Sequence, residues 1–390
     1  MTAVRTLTPD ALNRATLARQ LLLRREELPV TEAVRRVVAL QAQEPASPYL
    51  ALWNRLAGFR PADLDEAFAG RTVVKATLMR ITLHAVHADD HRTFRGAMQQ
   101  TLYASRLGDR FAAAGLTPDH ADELVPELLE FTRRRRTTPE IDAWLEERLG
   151  AERKAGAWWG LRGYAPLLHA PTGGPWSFGV RPSFVAAPPG PPLTGRTPEP
   201  EALRTLILRY LAGFGPATEA DIAQFAMVRR APLRQALRDL DDGTLEHLGT
   251  PEGVLLHDLP GAPRPPADTP APPRLLPMWD SVLLAYADRS RVIPPEYRKL
   301  VIRVNGDVLP TLLVDGRVAG VWRPAPEGAG VEASAFHPLP PAVWEALAAE
   351  ARSLTALLAD RDSRLYGRYG HWWAKLPPAA EVRLLAGGHG

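Results

Sequence analysis

The sequence contains no cysteine in any of its 390 positions. That excludes disulfides, thiolate zinc centres and a cysteine nucleophile. It also lacks an apolar run of about eighteen residues, so no membrane-spanning helix is expected. The opening MTAVRTLTPDALNR lacks the charged-then-apolar layout of a secretory signal, and a cytoplasmic, nucleoid-associated protein is expected. Charge of one sign is scarce as well. With 47 basic and 44 acidic residues the net charge is +3, too small to mark a nucleic-acid partner by itself. The distribution says more, since the first sixty residues hold nine Arg against five carboxylates, and Arg outweighs Lys throughout. The planar Arg fork suits phosphate. A high-GC coding bias yields the same Arg, Ala and Pro enrichment, so this composition permits a nucleic-acid partner without demanding one. What is present is ordinary: 45% apolar and 23% charged residues, enough for real cores in two to four compact units.

The middle of the chain carries the clearest local pattern. EALRTLILRYL reads as an amphipathic helix closed by Gly213 and Gly215-Pro216. Thr218 can cap EADIAQFA, and APLRQALRDL sets Leu233, Ala236, Leu237 and Leu240 at helical spacing. LEHLGTPEGVLLHDL then reads as two short strands around Pro251 and Gly253. Three helices and a two-stranded ribbon predict a winged helix-turn-helix. The same template fits helices over 10–22, 31–40, 48–56 and 61–69 before the paired strands of RTVVKATLMRITLHAVHA. It fits again with helices over 118–131, 139–149 and 158–168 before strands across 176–185. The expected fold is α+β, with tandem winged helix-turn-helix units at 1–115, 116–190 and 198–262. A small C-terminal β-barrel at 274–390 follows, with hairpins at Asn305-Gly306 and Asp315-Gly316, a helix over 342–358 and a strand at VRLLAG. The Pro-rich stretches 186–200 and 260–273 read as linkers or long loops.

Residues 38–43 read VALQAQ, followed by Glu44-Pro45 and SPYLALWNRL. Further on come VVKATLMRITLHAV, LPMWDSVLLAYADRSRVI and VDGRVAGVWR. In this order, and across nearly the whole chain, the set resembles the AlkZ and YcaQ superfamily of winged-helix DNA glycosylases. The resemblance implies a concave DNA-binding surface, a monomer, and excision of bases alkylated on ring nitrogens, with unhooking of interstrand crosslinks. It also implies a catalytic Gln-aliphatic-Gln or Gln-aliphatic-Asp motif. Gln41-Ala42-Gln43 matches the two-Gln, AlkZ-like branch.

The chemistry suits that assignment. Removing a normal base calls for a carboxylate and an acid, whereas an N7-alkylated purine is already cationic and departs neutral. A Gln amide is no general base, but its oxygen and amino group can hold a water and face a developing positive sugar. Taken alone, two Gln at i and i+2 would more often cap or solvate the preceding helix. No lysine is near the motif in sequence, which argues against Schiff-base chemistry and for a monofunctional hydrolase acting on double-stranded DNA with alkylated bases. No cofactor or metal is expected.

Other groups are weighed against plainer roles. His84, His87 and His91 with Asp89 and Asp90 suggest a metal, yet on a strand His84 and His87 face opposite sides, and a strand running into a helix capped at Asp89 or Asp90 is the simpler account. Arg80 falls in the stretch that resembles the family and is a candidate to line a DNA cleft. Arg229, Arg230 and Arg234, on or before the third helix of the middle unit, are candidates for phosphate, as is the run Arg133–Arg136 at a helix end. The turn Asp315-Gly316-Arg317 is a candidate for the minor groove. Asp280 has no assignable role, and Trp372 and Trp373 read as buried anchors. The alternative to a glycosylase is a non-enzymatic winged-helix DNA-binding regulator, since fold does not fix function.

Overall fold

The computed structural model describes residues 5–189, 199–325, 330–359, 361–362 and 365–385. The chain begins with α1 (Pro9–Arg19), α2 (Val30–Arg36), β1 (Leu40–Gln41), α3 (Ser47–Arg55) and α4 (Pro61–Ala69). Then come β2 (Val73–Thr77), β3 (Leu83–His87) and the long α5 (Ala88–Arg106). Prolines in the first turns of α1, α3 and α4 preset the helical φ where no N–H is needed. The cap of α5 is His87, whose side chain accepts from Asp89 N at 3.3 Å, in place of the aspartates that the sequence suggested.

The next stretch gives α6 (Asp109–Ala113), α7 (Pro118–Phe131), β4 (Arg136–Thr137), α8 (Thr138–Leu149), α9 (Ala151–Tyr164), β5 (Leu167–Ala170) and β6 (Ser183–Ala186). A reciprocal capping box between Thr137 and Glu140 starts α8. The helix expected over 158–168 starts earlier and ends at Tyr164, and Leu167 and Leu168 belong to β5 instead. After it come α10 (Pro200–Phe214), α11 (Glu219–Ala226), α12 (Arg230–Asp239), β7 (Glu246–Gly249) and β8 (Leu255–Asp258), three helices and a two-stranded ribbon in the order expected. A second capping box, Thr218 with Asp221, starts α11. The chain closes with β9 (Arg274–Leu276), α13 (Arg298–Val301), β10 (Thr311–Val314), β11 (Arg317–Pro324), β12 (Val331–Ala335), α14 (Pro341–Ala359) and β13 (Glu381–Leu385).

Two antiparallel sheets organise these elements. The first has the order β1-β3-β2-β5-β6-β4 and joins strands from the first two predicted units. The second, β13-β12-β11-β10-β9, is open. The expected closed barrel is therefore not found among the described residues: β9 and β13 do not pair, and α14 packs against both of these edge strands. Residues before Asn305-Gly306 also differ from expectation, forming α13 and leaving only the isolated bridge Ile302–Val308 across that turn. Asp315-Gly316 does join β10 to β11.

The six-stranded sheet lies between two apolar cores. Leu40, Ala42, Val73 and Ala85 belong to the core shared with α1–α4 and the second sheet. Val74, Ala76 and Val86 belong to the core shared with α5 and α7–α12. Strand alternation thus sends neighbouring residues into different surroundings. No described helix is long and apolar enough to cross a membrane.

Candidate active site

Gln41 ends β1 and pairs with His84 of β3, which pairs in turn with Ala76 of β2. These three share the face toward the α5–α12 core. Ala42 N donates to Leu83 O at 2.8 Å, continuing the ladder to the edge of Gln43. Ser281 Oγ donates to Ala39 O at 2.7 Å and fixes the motif from the other side.

Between β2 and β3 the chain reverses through Leu78–Thr82. Leu78 N donates to Thr82 O at 3.0 Å, and Arg80 and Ile81 adopt left-handed φ of 54° and 58°. Such backbone is costly for residues with a Cβ, and here it turns the Arg80 side chain back over the sheet. Arg80 Nη2 donates to Gln41 Oε1 at 2.7 Å and contacts His84 Nε2 at 3.2 Å. Its guanidinium stands 5.5 Å from the centre of the Phe225 ring, and Nη1 donates to Phe225 O at 3.4 Å.

His84 is buried, and its Nδ1 is 3.1 Å from Thr82 O. Burial, then the charge of Arg80, holds the imidazole down at about 3. The neutral ring donates from Nδ1 to Thr82 O and accepts from Arg80 at Nε2, the tautomer these contacts select. Burial, and then the neighbouring Arg289, lowers the Arg80 guanidinium to about 10, so it stays cationic near neutrality. Arg80 thus donates both to His84, which passes a hydrogen bond on to Thr82 O, and to the oxygen of Gln41. That leaves the amino group as the free end of the Gln41 amide. Gln43 is exposed, with only a long 3.4 Å contact from Leu83 N to its Oε1.

The opposite face of the sheet differs. Lys75 shares its register with Ala85 and His169, and its Nζ is 4.5 Å from the centre of the Phe178 ring. Burial lowers its ammonium to about 8, with the charge of Glu44 restoring part of the loss. Glu44 accepts from Arg368 Nη2 at 2.7 Å and from Tyr369 OH at 3.3 Å. Burial raises its carboxyl, against the pull of Arg368, Tyr369 and Lys75. The sequence expectation that no lysine is near the motif is therefore corrected: folding brings Lys75 within charge range of Glu44, next to Gln43. The sheet itself separates it from Gln41.

The remaining predicted residues divide. Arg229 and Arg230 are exposed at the start of α12, whereas Arg234 is paired with Glu219 at 2.8 Å. The Asp315-Gly316-Arg317 turn, a candidate for the minor groove, packs on α1 and keeps the Asp315 side chain largely exposed. Arg14 pairs with Asp315, Asn13 Nδ2 donates to Gly316 O at 2.8 Å, and Arg317 Nη2 donates to Asp10 at 2.6 Å. A Cβ on Gly316 would come within 2.3 Å of Asn13 Oδ1, so only glycine fits there. In the basic run, Arg133 pairs with Glu130 and Arg136 with Glu140, at 2.8 and 3.3 Å. Trp372 is buried and donates to Asp307 at 2.7 Å. No three His, Asp or Glu among the described residues are grouped to hold a metal. Local reading missed Arg289 beside Arg80, although the basic string RSRVIPPEYRK could have drawn attention to it.

Comparison with known proteins agrees with this architecture. The solved structure of Streptomyces sahachiroi DNA glycosylase AlkZ superposes with a TM-score of 0.76, over 91% of this chain and 98% of that one, at 22% identity. An interstrand DNA cross-link repair glycosylase from Streptomyces sahachiroi is 29% identical over 330 residues, covering 78% of this chain and 85% of that protein. The family described as DNA glycosylase AlkZ-like matches residues 34–357. The non-enzymatic regulator is thereby set aside. The chain belongs to the AlkZ-like DNA glycosylases and is an enzyme of DNA repair.

Proposed function

We propose that the chain is a monofunctional glycosylase that excises cationic N-alkylated purines, N7-alkylguanine and N3-alkyladenine among them, by attack of water at C1′. It acts as a monomer on double-stranded DNA. In this reading α10–β8 is a winged helix-turn-helix whose Arg229 and Arg230 meet backbone phosphate, and the sheet carrying Gln41 faces the lesion. Arg80, a sequence candidate for DNA contact, acts as a positioning residue for Gln41.

The observation that carries the reading is the fixed orientation of the Gln41 amide. With Arg80 on its oxygen, the amide cannot flip without losing a charge-assisted hydrogen bond. Its amino group is then the part offered to a water, while the exposed Gln43 offers an oxygen to accept a proton of the same water. The C1′–N9 bond breaks, and its electron pair leaves with the alkylated purine, which departs neutral. The water oxygen forms the new C1′–O bond, and its proton passes to solvent. Neither amide titrates near neutrality, so the pair serves a leaving group that needs no acid. The exposure of Gln43 leaves room for bulky adducts and for crosslinks, the lesion in the name of the Streptomyces relative.

Base release from a duplex carrying N7-methylguanine tests this. Wild type should generate abasic sites and the Gln41→Ala, Gln43→Ala double variant should not. Equal release by both would remove the two amides from the chemistry.

A further inference from the structure

Many arginines of this protein have a carboxylate, among them Arg19 with Asp258, Arg55 with Asp280 and Arg234 with Glu219. A cleft of about 450 Å³ formed by residues 287–299 is different. Arg289, Arg298 and Lys299 line it, and none of the three has an ion-pair partner among the described residues. Two carboxylates also line it. Asp288 is occupied by Ser290, accepting from its N and its Oγ, both at 2.9 Å, and Glu296 is exposed at the rim. Arg289 is half-buried, and its Nε is buried without a hydrogen-bond partner. Burial and the neighbouring charge of Arg298 both push its guanidinium down.

The cleft is tied to the candidate active site by α11. Asp221 at the start of that helix accepts from Ala287 N at 2.9 Å. Phe225, one turn further on, holds Arg80. One helical turn is about 5.4 Å, so the Arg289 segment and the Arg80 turn are close neighbours on one support. Three cations against two carboxylates leave the cleft net positive, which favours an anion beside them. With Nε sealed from solvent, the two Nη groups of Arg289, which have no hydrogen-bond partner among the described residues, are the fork that a phosphodiester oxygen pair can meet.

We propose that this cleft is a binding site for a backbone phosphate of the damaged DNA strand, close to the nucleotide whose base is released. The assignment of that nucleotide rests on the reading of Gln41 and Gln43 given above; the phosphate contact itself does not. Arg289 supplies the fork, and Arg298 and Lys299 supply the field. The phosphate fixes the register of the sugar against the Gln41 amide, a job that base contacts do not perform.

The test is the salt dependence of binding, measured by fluorescence anisotropy on an undamaged duplex in the Gln41→Ala, Gln43→Ala background. Each phosphate contact contributes about 0.9 to the slope of log K against log salt. Arg289→Gln with Arg298→Gln should lower the slope by about one to two, and Arg289→Lys should keep most of it. An unchanged slope overturns the proposal. Neutralising single phosphates as methylphosphonates in a duplex with N7-methylguanine then locates the contact. One position within about two nucleotides of the lesion should weaken binding by wild type and leave the double-Gln variant unaffected. If the sensitive position is remote from the lesion, the assigned neighbourhood is wrong. If the slope falls as stated yet wild type releases no base, the cleft stands and the catalytic reading fails.

Discussion

Arg55 of α3 and Asp280, 225 residues apart in sequence, meet in a twofold hydrogen-bonded pair at 2.8 and 2.8 Å, with neither side chain exposed to solvent. The pair locks the early helices to the segment that follows β9. Removing one partner of such a pair strands a buried charge, at a cost of about 3–5 kcal/mol. Asp280→Ala should therefore lower the urea midpoint sharply. The double variant Arg55→Met, Asp280→Leu should recover a large part of that loss, because no charge is left unpaired. Equal midpoints for Asp280→Ala and wild type would contradict the lock.

Arg80→Met removes the hydrogen bond that fixes Gln41. A hydrogen bond to a charged group contributes about 1.5–3 kcal/mol, so single-turnover base release should slow by about 10- to 100-fold. As Arg80 acts on the amide, the loss should appear in kcat with KM little changed. His84→Ala, which removes only the acceptor behind Arg80, should cost less. A rise in KM at constant kcat would return Arg80 to the role of a DNA contact.

Acid should destabilise this protein through its buried histidines. His84 and His91 are both held at about 3, burial being the main cause and Arg80 or Arg95 the second. In the unfolded chain each titrates near 6.5. Above that value both states are neutral and the stability is fully present. As pH falls from about 6.5 toward 3, the unfolded chain takes up protons that the native state refuses. Each histidine then contributes up to about 1.4 kcal/mol of loss per pH unit. Urea midpoints at pH 7.5 and pH 5 should differ by more in wild type than in His91→Phe, and parallel changes in both would exclude His91 from the effect.

Lys75 offers a sharp check on hydrolysis without a Schiff base. It is on the face of the sheet away from Gln41, so Lys75→Met should keep base release within about threefold of wild type, on the order of the change expected from loss of a remote charge. Borohydride added during turnover should trap no covalent protein–DNA adduct. An adduct that disappears in Lys75→Met would replace the monofunctional reading with lyase chemistry.

Much of the fold was legible where turn chemistry and apolar spacing agree. Pro61 and Pro118 opened their helices as expected, and α10–β8 followed the pattern read from Thr218 and Gly215-Pro216. A helix starting at Asp89 or Asp90 was expected, but its length was not read, because the buried apolar spine Phe94, Met98 and Leu102 is interleaved with buried Asp90, His91, Arg95 and Gln99 that mask its period. Gly96 faces Ala202 so closely that a Cβ would come within 3.1 Å of it. The early start of α9 was obscured in the same way, since Gly156, Gly160 and Gly163 read as helix breakers yet serve close packing against Ala114, Phe111 and Arg106. At the candidate site the amide pair could be named from sequence resemblance. The contact of Arg80 with Gln41 could not, because it depends on a cross-strand register and a left-handed turn. Asp280 resisted local reading for the same reason, its partner being far away along the chain.

The attachments of the Gln41–Gln43 segment carry a consequence for synthesis. Ser281 holds Ala39, and Arg368 holds Glu44, so the supports of an early motif are translated last. A ribosome-bound or prematurely stopped chain lacking residues beyond 280 would carry both glutamines without either tether. On the proposed reading of the two glutamines, base release should thus wait until translation has passed Arg368, so unfinished chains should leave no abasic sites.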